Sequence, residues 1–446
     1  MPIYFRNTSH DIIFGKSPIE KIGGDKLTYS MYGDNIPVVP NLNIETLVDF
    51  QSTYDTTFYL LSNGELWGCG DNGFGQMGEP GYIEIGDPMS ENWEYIDNSR
   101  KSNIELRATN VKSFFTDPGL TLYIDNNNDL YSSTLNTTDF YDSFRKIASN
   151  VKKAEGVSYS VICYLDFDGN LYGCGYNSRG QLGLGHKNEI NNFVKIAGNV
   201  IDFQVTNSNV CYIDVNDNLY IAGYCPGKTV APWSTTFTKC GSNVKKVYIQ
   251  NHYYYLTKDN KLFTYGTNSN GQLGTGDTNI PNTFVQIATN VKDIYAGKSS
   301  SYSTIYIDNN DNLYFAGDGN NGQRGDNITT DSYTFIKIAS NVKQAESTIN
   351  MTCYVDKDNN LYVTGKNNYG QLGLGHRNQV NTFTKVAENV DFCQVSHSTL
   401  WYKTLTVGSL FGAGNNETGQ QGLGDTRNVE NATYIPYASE FVEHKY

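Results

Sequence analysis

Short runs in which apolar and polar residues alternate recur along most of the chain, and Gly, Asn, Asp or Ser bounds each run. One stretch contains the runs NVKDIYAG, STIYIDNN, NLYFAG and TFIKIAS, at residues 290–297, 303–310, 312–317 and 334–340. Alternation with a period of two is typical of β-strands that have one buried face. Helical periodicity is absent from these runs, so the pattern predicts units of four short antiparallel strands.

The spacing of one landmark indicates how many units there are. A leucine followed by an aromatic residue comes after a polar turn at eight places: Leu66-Trp67, Leu130-Tyr131, Leu171-Tyr172, Leu219-Tyr220, Leu262-Phe263, Leu313-Tyr314, Leu361-Tyr362 and Leu410-Phe411. The turns are rich in Asp, Asn and Gly, which tolerate positive φ and favour tight hairpins. Successive pairs are 64, 41, 48, 43, 51, 48 and 49 residues apart, so the first interval contains an insertion. Such spacing predicts an all-β fold, a β-propeller of eight four-stranded units.

A glycine-rich motif lies between the third and fourth predicted strands of six units. Its copies are GDNGFGQMG at 70–78, GYNSRGQLG at 175–183, GTNSNGQLG at 266–274, GDGNNGQRG at 317–325, GKNNYGQLG at 365–373 and GNNETGQQG at 414–422. In this motif the sequence resembles the regulator of chromosome condensation repeat family, whose members are β-propellers. The best-known propellers of that family have seven blades, so a seven-bladed ring is the alternative.

Two residue types of the motif have predicted structural roles. Glycine permits positive φ and the close approach of a neighbouring blade. The repeated glutamine is expected to hydrogen-bond the loop backbone and to join successive blades, at Gln76, Gln181, Gln272, Gln323, Gln371 and Gln420. Ring closure is expected to need one blade built from both chain ends, with residues 35–41 or 433–439 as the closing strand.

The first 35 residues precede the repeats, and we predict that they form a small β-ribbon before a propeller domain of residues 36–446. Residues 11–34 resemble a short β-module of bacteriophage tail and virion proteins. The resemblance rests on Gly15, Ile19, Lys21, Ile22, Gly24, Leu27, Tyr29 and Ser30. It implies an attachment module, and an edge ribbon that leads into the propeller is the alternative.

The charge and hydropathy of the chain disfavour several classes of partner. There are 46 acidic and 33 basic residues, which give a net charge of −13. No basic block is present, and nucleic-acid binding draws most of its affinity from clustered Lys and Arg. No run of 18 apolar residues exists, so membrane insertion is not expected. The first twenty residues lack the features of a signal peptide.

The candidate chemical motifs have simpler structural interpretations. Asp166 begins a segment like a calcium loop, but the twelfth position holds Asn177 instead of the bidentate glutamate. His186 and His376 occupy equivalent loop positions where other units have Asp, which favours a loop-capping role. The eight cysteines have no CxxC spacing and are expected to be free, mostly buried thiols. We therefore expect no enzymatic activity, no cofactor and no metal.

Binding residues are predicted by comparing the repeats with one another. The residue before the second glycine of the motif keeps its place but varies in chemistry, and it is large at Phe74, Arg179 and Tyr369. The insertion at residues 79–103 adds Tyr82, Trp93 and Tyr95 beside the first loop. Loops on a rigid scaffold commonly carry recognition residues, and aromatic residues are favoured anchors in interfaces. We predict that these six residues form the binding rim.

These observations favour a non-enzymatic binding protein. The leading hypothesis is a phage or prophage virion component, tail or capsid-associated, whose propeller binds a host-surface receptor or a neighbouring virion protein. The expected partner is a protein or a cell-surface glycan, and the expected location is the virion, or the bacterial cytoplasm before assembly. The family resemblance implies one alternative, a guanine nucleotide exchange factor for a small GTPase. An enzyme-inhibiting propeller is a further alternative.

Overall fold

A computed structural model describes residues 6–7, 10–11, 27–31, 34–38, 47–79, 82–85, 94–97, 99–134, 140–157, 160–225, 233–249, 252–296, 302–405 and 409–435. Every regular element within these ranges is a β-strand. None of the described elements is a helix of the length and apolarity needed to cross a membrane. The all-β prediction is therefore confirmed.

The strands fall into short N-terminal hairpins and eight four-stranded sheets, which we number as blades. The N-terminal strands are β1 (Arg6–Asn7), β2 (His10–Asp11), β3 (Leu27–Met31) and β4 (Asp34–Val38), paired β1 with β2 and β3 with β4. Blade 1 contains β5 (Leu47–Ser52), β6 (Thr56–Leu61), β7 (Leu66–Asp71) and β10 (Arg100–Ala108), with the hairpin β8 (Tyr82–Ile85) and β9 (Glu94–Asp97) inserted before β10.

The other seven blades are uninterrupted. Blade 2 contains β11 (Val111–Asp117), β12 (Leu120–Asp125), β13 (Leu130–Thr134) and β14 (Phe140–Ala148), and blade 3 contains β15 (Val151–Val157), β16 (Val161–Asp166), β17 (Leu171–Gly175) and β18 (Ile190–Ala197). Blade 4 contains β19 (Val200–Val205), β20 (Asn209–Asp214), β21 (Leu219–Tyr224) and β22 (Trp233–Gly241), and blade 5 contains β23 (Val244–Ile249), β24 (His252–Thr257), β25 (Leu262–Gly266) and β26 (Val285–Ala288). Blade 6 contains β27 (Val291–Ala296), β28 (Ser303–Asp308), β29 (Leu313–Gly317) and β30 (Ser332–Ala339). Blade 7 contains β31 (Val342–Ser347), β32 (Met351–Asp356), β33 (Leu361–Gly365) and β34 (Val380–Ala387), and blade 8 contains β35 (Val390–Val395), β36 (Thr399–Thr404), β37 (Leu410–Gly414) and β38 (Val429–Tyr434).

Each blade is an antiparallel meander in chain order, and first strands of neighbouring blades contact one another, as the innermost strands of a propeller do. Lys153 of blade 3 bonds Asp202 of blade 4 at 2.6 Å, and Lys246 of blade 5 bonds Asp293 of blade 6 at 2.7 Å. These inner strands therefore join neighbouring blades around the centre. Eight sheets confirm the prediction of eight units and exclude the seven-bladed alternative.

The turn between the second and third strands shows why the landmark repeats. In blade 3 the Asp166 carboxylate accepts hydrogen bonds from the backbone N–H groups of Asp168 and Asn170, at 3.0 and 2.7 Å. The same carboxylate also bonds the Asn170 side chain, so it caps the hairpin. Leu171 then enters the core with no exposed surface, and Tyr172 stacks on Tyr164 with ring centroids 4.9 Å apart. The polar residues of this turn thus have a structural role, as the sequence predicted.

The ring closes differently from our expectation. Blade 1 is complete in itself because β10, after the insertion, supplies its fourth strand. Residues 34–38 pair with β3 instead, and residues 433–434 belong to blade 8. Blade 8 packs directly on blade 1 through a buried cluster that includes Phe50, Trp401 and Ile435. Within the described residues the seam is therefore held by side-chain packing and loop contacts, and no strand there is shared between the chain ends.

The predicted domain boundary near residue 35 stays a prediction. Most of the segment that resembles the phage module, residues 12–26, lies outside the described residues.

Candidate functional site

The six glycine-rich loops share one hydrogen-bonded frame. In every loop the glutamine Oε1 accepts the backbone N–H of the residue two positions earlier, at distances from 2.8 to 3.1 Å. In five loops the backbone N–H of the residue after the glutamine donates to an asparagine Oδ1. The accepting residues are Asn72, Asn177, Asn268, Asn367 and Asn416. The glutamine thus holds the main chain of the variable residue in the same way in each of the six loops.

Several of the loops also join their blade to the next one. The Nε2 groups of Gln323 and Gln420 each donate, at 3.3 Å, to a carbonyl in the first turn of the following blade. At the ring seam the hydroxyl of Thr418 donates to the carbonyl of Asp55 at 2.9 Å. Gly183 has a φ of 67°, and an added Cβ there would lie 2.3 Å from the ring of Phe237 in blade 4. The predicted roles of glutamine and glycine are confirmed at these positions. The prediction that every glutamine joins two blades is wrong at Gln76, whose Nε2 donates to Asp71 of its own loop, and at Gln272 and Gln371, whose Nε2 groups have no hydrogen-bond partner among the described residues.

The loop of blade 6 keeps the frame by a compensating exchange. Gly319 stands where five other loops have asparagine, and Arg324 stands where they have Met, Leu or Gln. The buried Arg324 donates to the carbonyl of Thr330 at 2.9 Å and to the carboxylate of Asp326 at 2.7 Å. A Cβ at Gly319 would lie 2.6 Å from Arg324 Cδ and 2.3 Å from the Thr330 carbonyl. The Arg-Gly-Asp sequence at 324–326 therefore serves the packing of this loop.

Three of the predicted binding residues, Phe74, Arg179 and Tyr369, lie in separate glycine-rich loops on one face. Phe74 is 46% exposed in the loop of blade 1, whereas Arg179 and Tyr369 are partly buried in the loops of blades 3 and 7. Arg179 donates a hydrogen bond to the hydroxyl of Ser208 in blade 4. These three residues belong to separate loops and do not form one compact cluster.

The insertion is a β-hairpin on the same face. Tyr82 lies in β8 and Tyr95 in β9, where Tyr82 pairs with Asp97 and Tyr95 with Glu84. Trp93 lies outside the described residues. The prediction that Tyr82, Trp93 and Tyr95 contact a partner stays a prediction.

An ion cluster fixes the base of this insertion. The Glu79 carboxylate bonds Lys101 at 3.0 Å and also bonds Arg107, whose side chain is 4% exposed. Burial by itself would raise the pKa of Glu79, but the two cations lower it overall. The ionised carboxylate thus holds the start of the inserted segment against β10.

Two aromatic groups on this face were missed by the sequence reasoning. Tyr54, 47% exposed, contacts His397 with ring centroids 5.2 Å apart, which joins blade 1 to blade 8. Burial, followed by the charge of Lys366, lowers the pKa of His397. Trp233 in blade 4 has Arg179 at 5.5 Å and Lys187 at 5.7 Å from its ring centroid. Comparison of the first-turn residues between units would have indicated Tyr54, but the contacts across blades have no local signal.

The remaining reactive groups of the described chain are engaged in packing. No group of three or more His, Cys, Asp or Glu in the described part is arranged to hold a metal ion. Six of the eight cysteines are buried, and burial raises the pKa of Cys69 and Cys174 to about 12. Cys353 and Cys393 lie with their Sγ atoms 3.3 Å apart across the junction of blades 7 and 8. Thiols with such pKa values remain protonated at neutral pH and are weak nucleophiles.

Comparisons with known proteins agree with this architecture. The model of the Regulator of chromosome condensation (RCC1) repeat matches residues 48–76, from β5 to the first glycine-rich loop. No curated protein sequence matches the chain. Human WBSCR16 is similar in structure, with 16% identity and a TM-score of 0.53 over 67% of this chain and 86% of the other. Prp20p from Saccharomyces cerevisiae has 16% identity and a TM-score of 0.52 over 90% of both chains.

At this level of identity the solved structures establish the fold, and the repeat match adds the sequence signature. The chain is an RCC1-like β-propeller.

Proposed function

We propose that the chain is a non-enzymatic binding protein that engages a protein partner through the face carrying the glycine-rich loops. One observation supports this most directly. The main chain of each variable loop residue is held by its glutamine, while the side chain differs from loop to loop. A rigid frame with variable side chains is suited to partner-specific recognition because little conformational entropy is lost on binding.

The similar structures support a protein as the partner. Prp20p from Saccharomyces cerevisiae is described with its binding properties to Gsp1p and histones. Another similar structure, with a TM-score of 0.52, shows Kap60 bound to yeast RCC1 (Prp20). Those partners belong to those proteins. For this chain we carry over only the class of partner, a protein.

A matched pair of variants tests the proposal. Phe74 and Phe167 are similarly exposed, at 46% and 51%, but Phe74 lies in a glycine-rich loop and Phe167 in a hairpin turn on the opposite face. Phe74→Ala is expected to weaken binding of an identified partner by about thirtyfold, the effect of losing about 2 kcal/mol from an anchor residue. Phe167→Ala is expected to change affinity by less than about threefold. Equal effects of the two variants in calorimetric titration would contradict the proposal.

The finer proposal is that the chain is a virion component attached by its N-terminal ribbon. Its support is the resemblance of residues 11–34 to the phage module. Mass spectrometry of gradient-purified particles from the source organism is expected to detect the full-length chain. A chain that lacks residues 1–46 is expected to leave the particle fraction while the propeller still folds. Absence of the full-length chain from the particles would refute the virion role without affecting the binding role.

A second candidate, an exchange factor for a small GTPase, is favoured by the inserted hairpin of β8 and β9 beside the first loop. An exchange factor of this kind is expected to insert a structural wedge into the GTPase, and the hairpin is the candidate for that wedge. Release of labelled GDP from the source organism's small GTPases would be accelerated by the chain, and deletion of residues 80–98 would abolish the acceleration. No acceleration with any of them would exclude this candidate.

A further inference from the structure

The junction of blades 3 and 4 brings two cations onto one aromatic ring. The guanidinium carbon of Arg179 lies 5.5 Å and the Nζ of Lys187 5.7 Å from the ring centroid of Trp233. Tyr224 contacts the same indole with ring centroids 5.1 Å apart. Cation–aromatic contacts of this kind hold flexible cationic side chains in place. We call Arg179, Lys187 and Trp233 the cationic patch.

The fold does not require tryptophan at this position. Trp233 pairs with Tyr224, the residue after the glycine of the third strand. The equivalent positions in five other blades hold polar residues: Arg100, Glu189, Asp331, Gln379 and Asn428. Arg100 pairs with Asp71 in blade 1, and in the other four blades the fourth strand begins one residue after this position. The fourth strand therefore forms without tryptophan here, and Trp233 distinguishes this junction from those five.

Lys187 lacks the carboxylate that its counterpart has. The loop sequence His186-Lys187-Asn188 is repeated as His376-Arg377-Asn378, and Arg377 bonds Glu430 of the following blade at 2.7 Å. Gly370 packs on the backbone of Glu430, and the equivalent Gly180 packs on the backbone of Thr235. Thr235 therefore stands at the position of Glu430.

The two cations have no acidic partner in the described part of the chain, where neither Lys187 nor Arg179 forms an ion pair. Arg179 uses one nitrogen for the Ser208 hydroxyl, and the guanidinium has five N–H donors in all. Donors of both cations thus remain available to a ligand.

We propose that the cationic patch binds a carboxylate-bearing segment of a protein partner, with a partner carboxylate in the place that Glu430 takes beside Arg377. This inference rests on the proposed function and specifies the chemistry of the partner. The chain has a net charge of −13, which repels a long polyanion at a distance. A short segment with a few carboxylates fits the patch better than a sulfated glycan does. The aromatic ring already contacts three side chains, which also disfavours stacking of a sugar.

Two variants test the patch from opposite sides. Lys187→Glu reverses the charge of the exposed cation. Thr235→Glu places a carboxylate beside Lys187, as Glu430 does beside Arg377, and so occupies the site intended for the partner's carboxylate. The second variant is compatible with the fold because Glu430 occupies the same site in blade 8. Lys245→Glu, an exposed lysine at the start of β23 on the opposite face, makes the same charge change as the control.

The probe is a fluorescein-labelled hexapeptide of alternating glutamate and glycine, measured by anisotropy at low and physiological salt. Lys187→Glu and Thr235→Glu are each expected to weaken its binding at least about fivefold, and Lys245→Glu less than about twofold. The glutamine version of the peptide is not expected to bind. Equal loss in all three variants, or binding of a heparin hexasaccharide but not the peptide, would overturn the proposal. If the patch variants leave a partner's affinity unchanged while Phe74→Ala weakens it, the proposed function stands and this inference fails.

Discussion

The stability of the propeller is expected to fall in mildly acidic solution because of one buried histidine. His252 begins β24, is 2% exposed, and neither ring nitrogen has a hydrogen-bond partner among the described residues. Its ring contacts Tyr254 with centroids 5.3 Å apart. Burial lowers the pKa of His252 from 6.5 to about 4, with no charged group contributing.

The sign and size follow from proton linkage. Between pH 6.5 and about 4 the unfolded chain binds a proton at His252 that the folded chain excludes. The free energy of unfolding therefore falls by about 1.4 kcal/mol per pH unit in this window, about 3 kcal/mol in all. Above pH 6.5 the contribution of the neutral His252 to the free energy of unfolding is fully present, and below about pH 4 this contribution is lost.

A variant isolates this contribution from the many carboxylates that titrate in the same range. His252→Asn is chosen because Asn209 occupies the equivalent position in blade 4 and donates to the carbonyls of Ala222 and Tyr224. Urea unfolding of both proteins from pH 4 to 8 gives a difference in unfolding free energy at each pH. The difference is expected to change by about 3 kcal/mol between pH 7 and pH 4. The exposed His186→Asn is the control, and a difference that does not vary with pH for His252→Asn would refute the reasoning.

Three further predictions concern loops and the ring seam. Gly274→Ala places a Cβ 2.3 Å from an aromatic ring of the next blade and is expected to lower the free energy of unfolding in urea by about 2 kcal/mol or more. Gly276→Ala is the control, because the nearest atom to its added Cβ is 4.0 Å away, and its loss is expected to be smaller. Similar losses in both would contradict the role of close packing. Arg324→Leu is expected to destabilise the loop of blade 6, and adding Gly319→Asn is expected to recover about 1 kcal/mol in a double-mutant cycle; additive effects would disprove the compensation. Trp401→Ala, at the fully buried seam, is expected to cost about 3 to 5 kcal/mol in urea unfolding, and a loss below about 1 kcal/mol would show that packing does not close the ring.

Features that depend on residues close in sequence could be predicted well. The hairpin turns follow from Asp and Asn at fixed offsets, as at Asp166 and Asn170, whose contacts span only four residues. The eight units follow from the repeated leucine that enters each core, for instance Leu171. The glutamine frame was predictable because Oε1 bonds a backbone N–H two residues away.

Features that depend on which residues meet across blades could not be predicted. The closure of the ring depends on the contact of Trp401 with Phe50, which are 351 positions apart and have no matching pattern. The partnership of Tyr54 with His397 is of the same kind. Prediction of the cationic patch requires the knowledge that Thr235 stands where another blade has a glutamate. The spacing of the fourth strands varies too much for that alignment to be made from the sequence.

Hydrogen–deuterium exchange of the chain, alone and in complex with its partner, tests the central claim most directly. The claim is that the partner binds the face formed by the glycine-rich loops. Binding is expected to slow exchange at residues 70–78, 175–183 and 365–373 and to leave the opposite turns at residues 166–170, 214–218 and 308–312 unchanged. Slowed exchange confined to those opposite turns, or no change in the loops of a saturated complex, would contradict it.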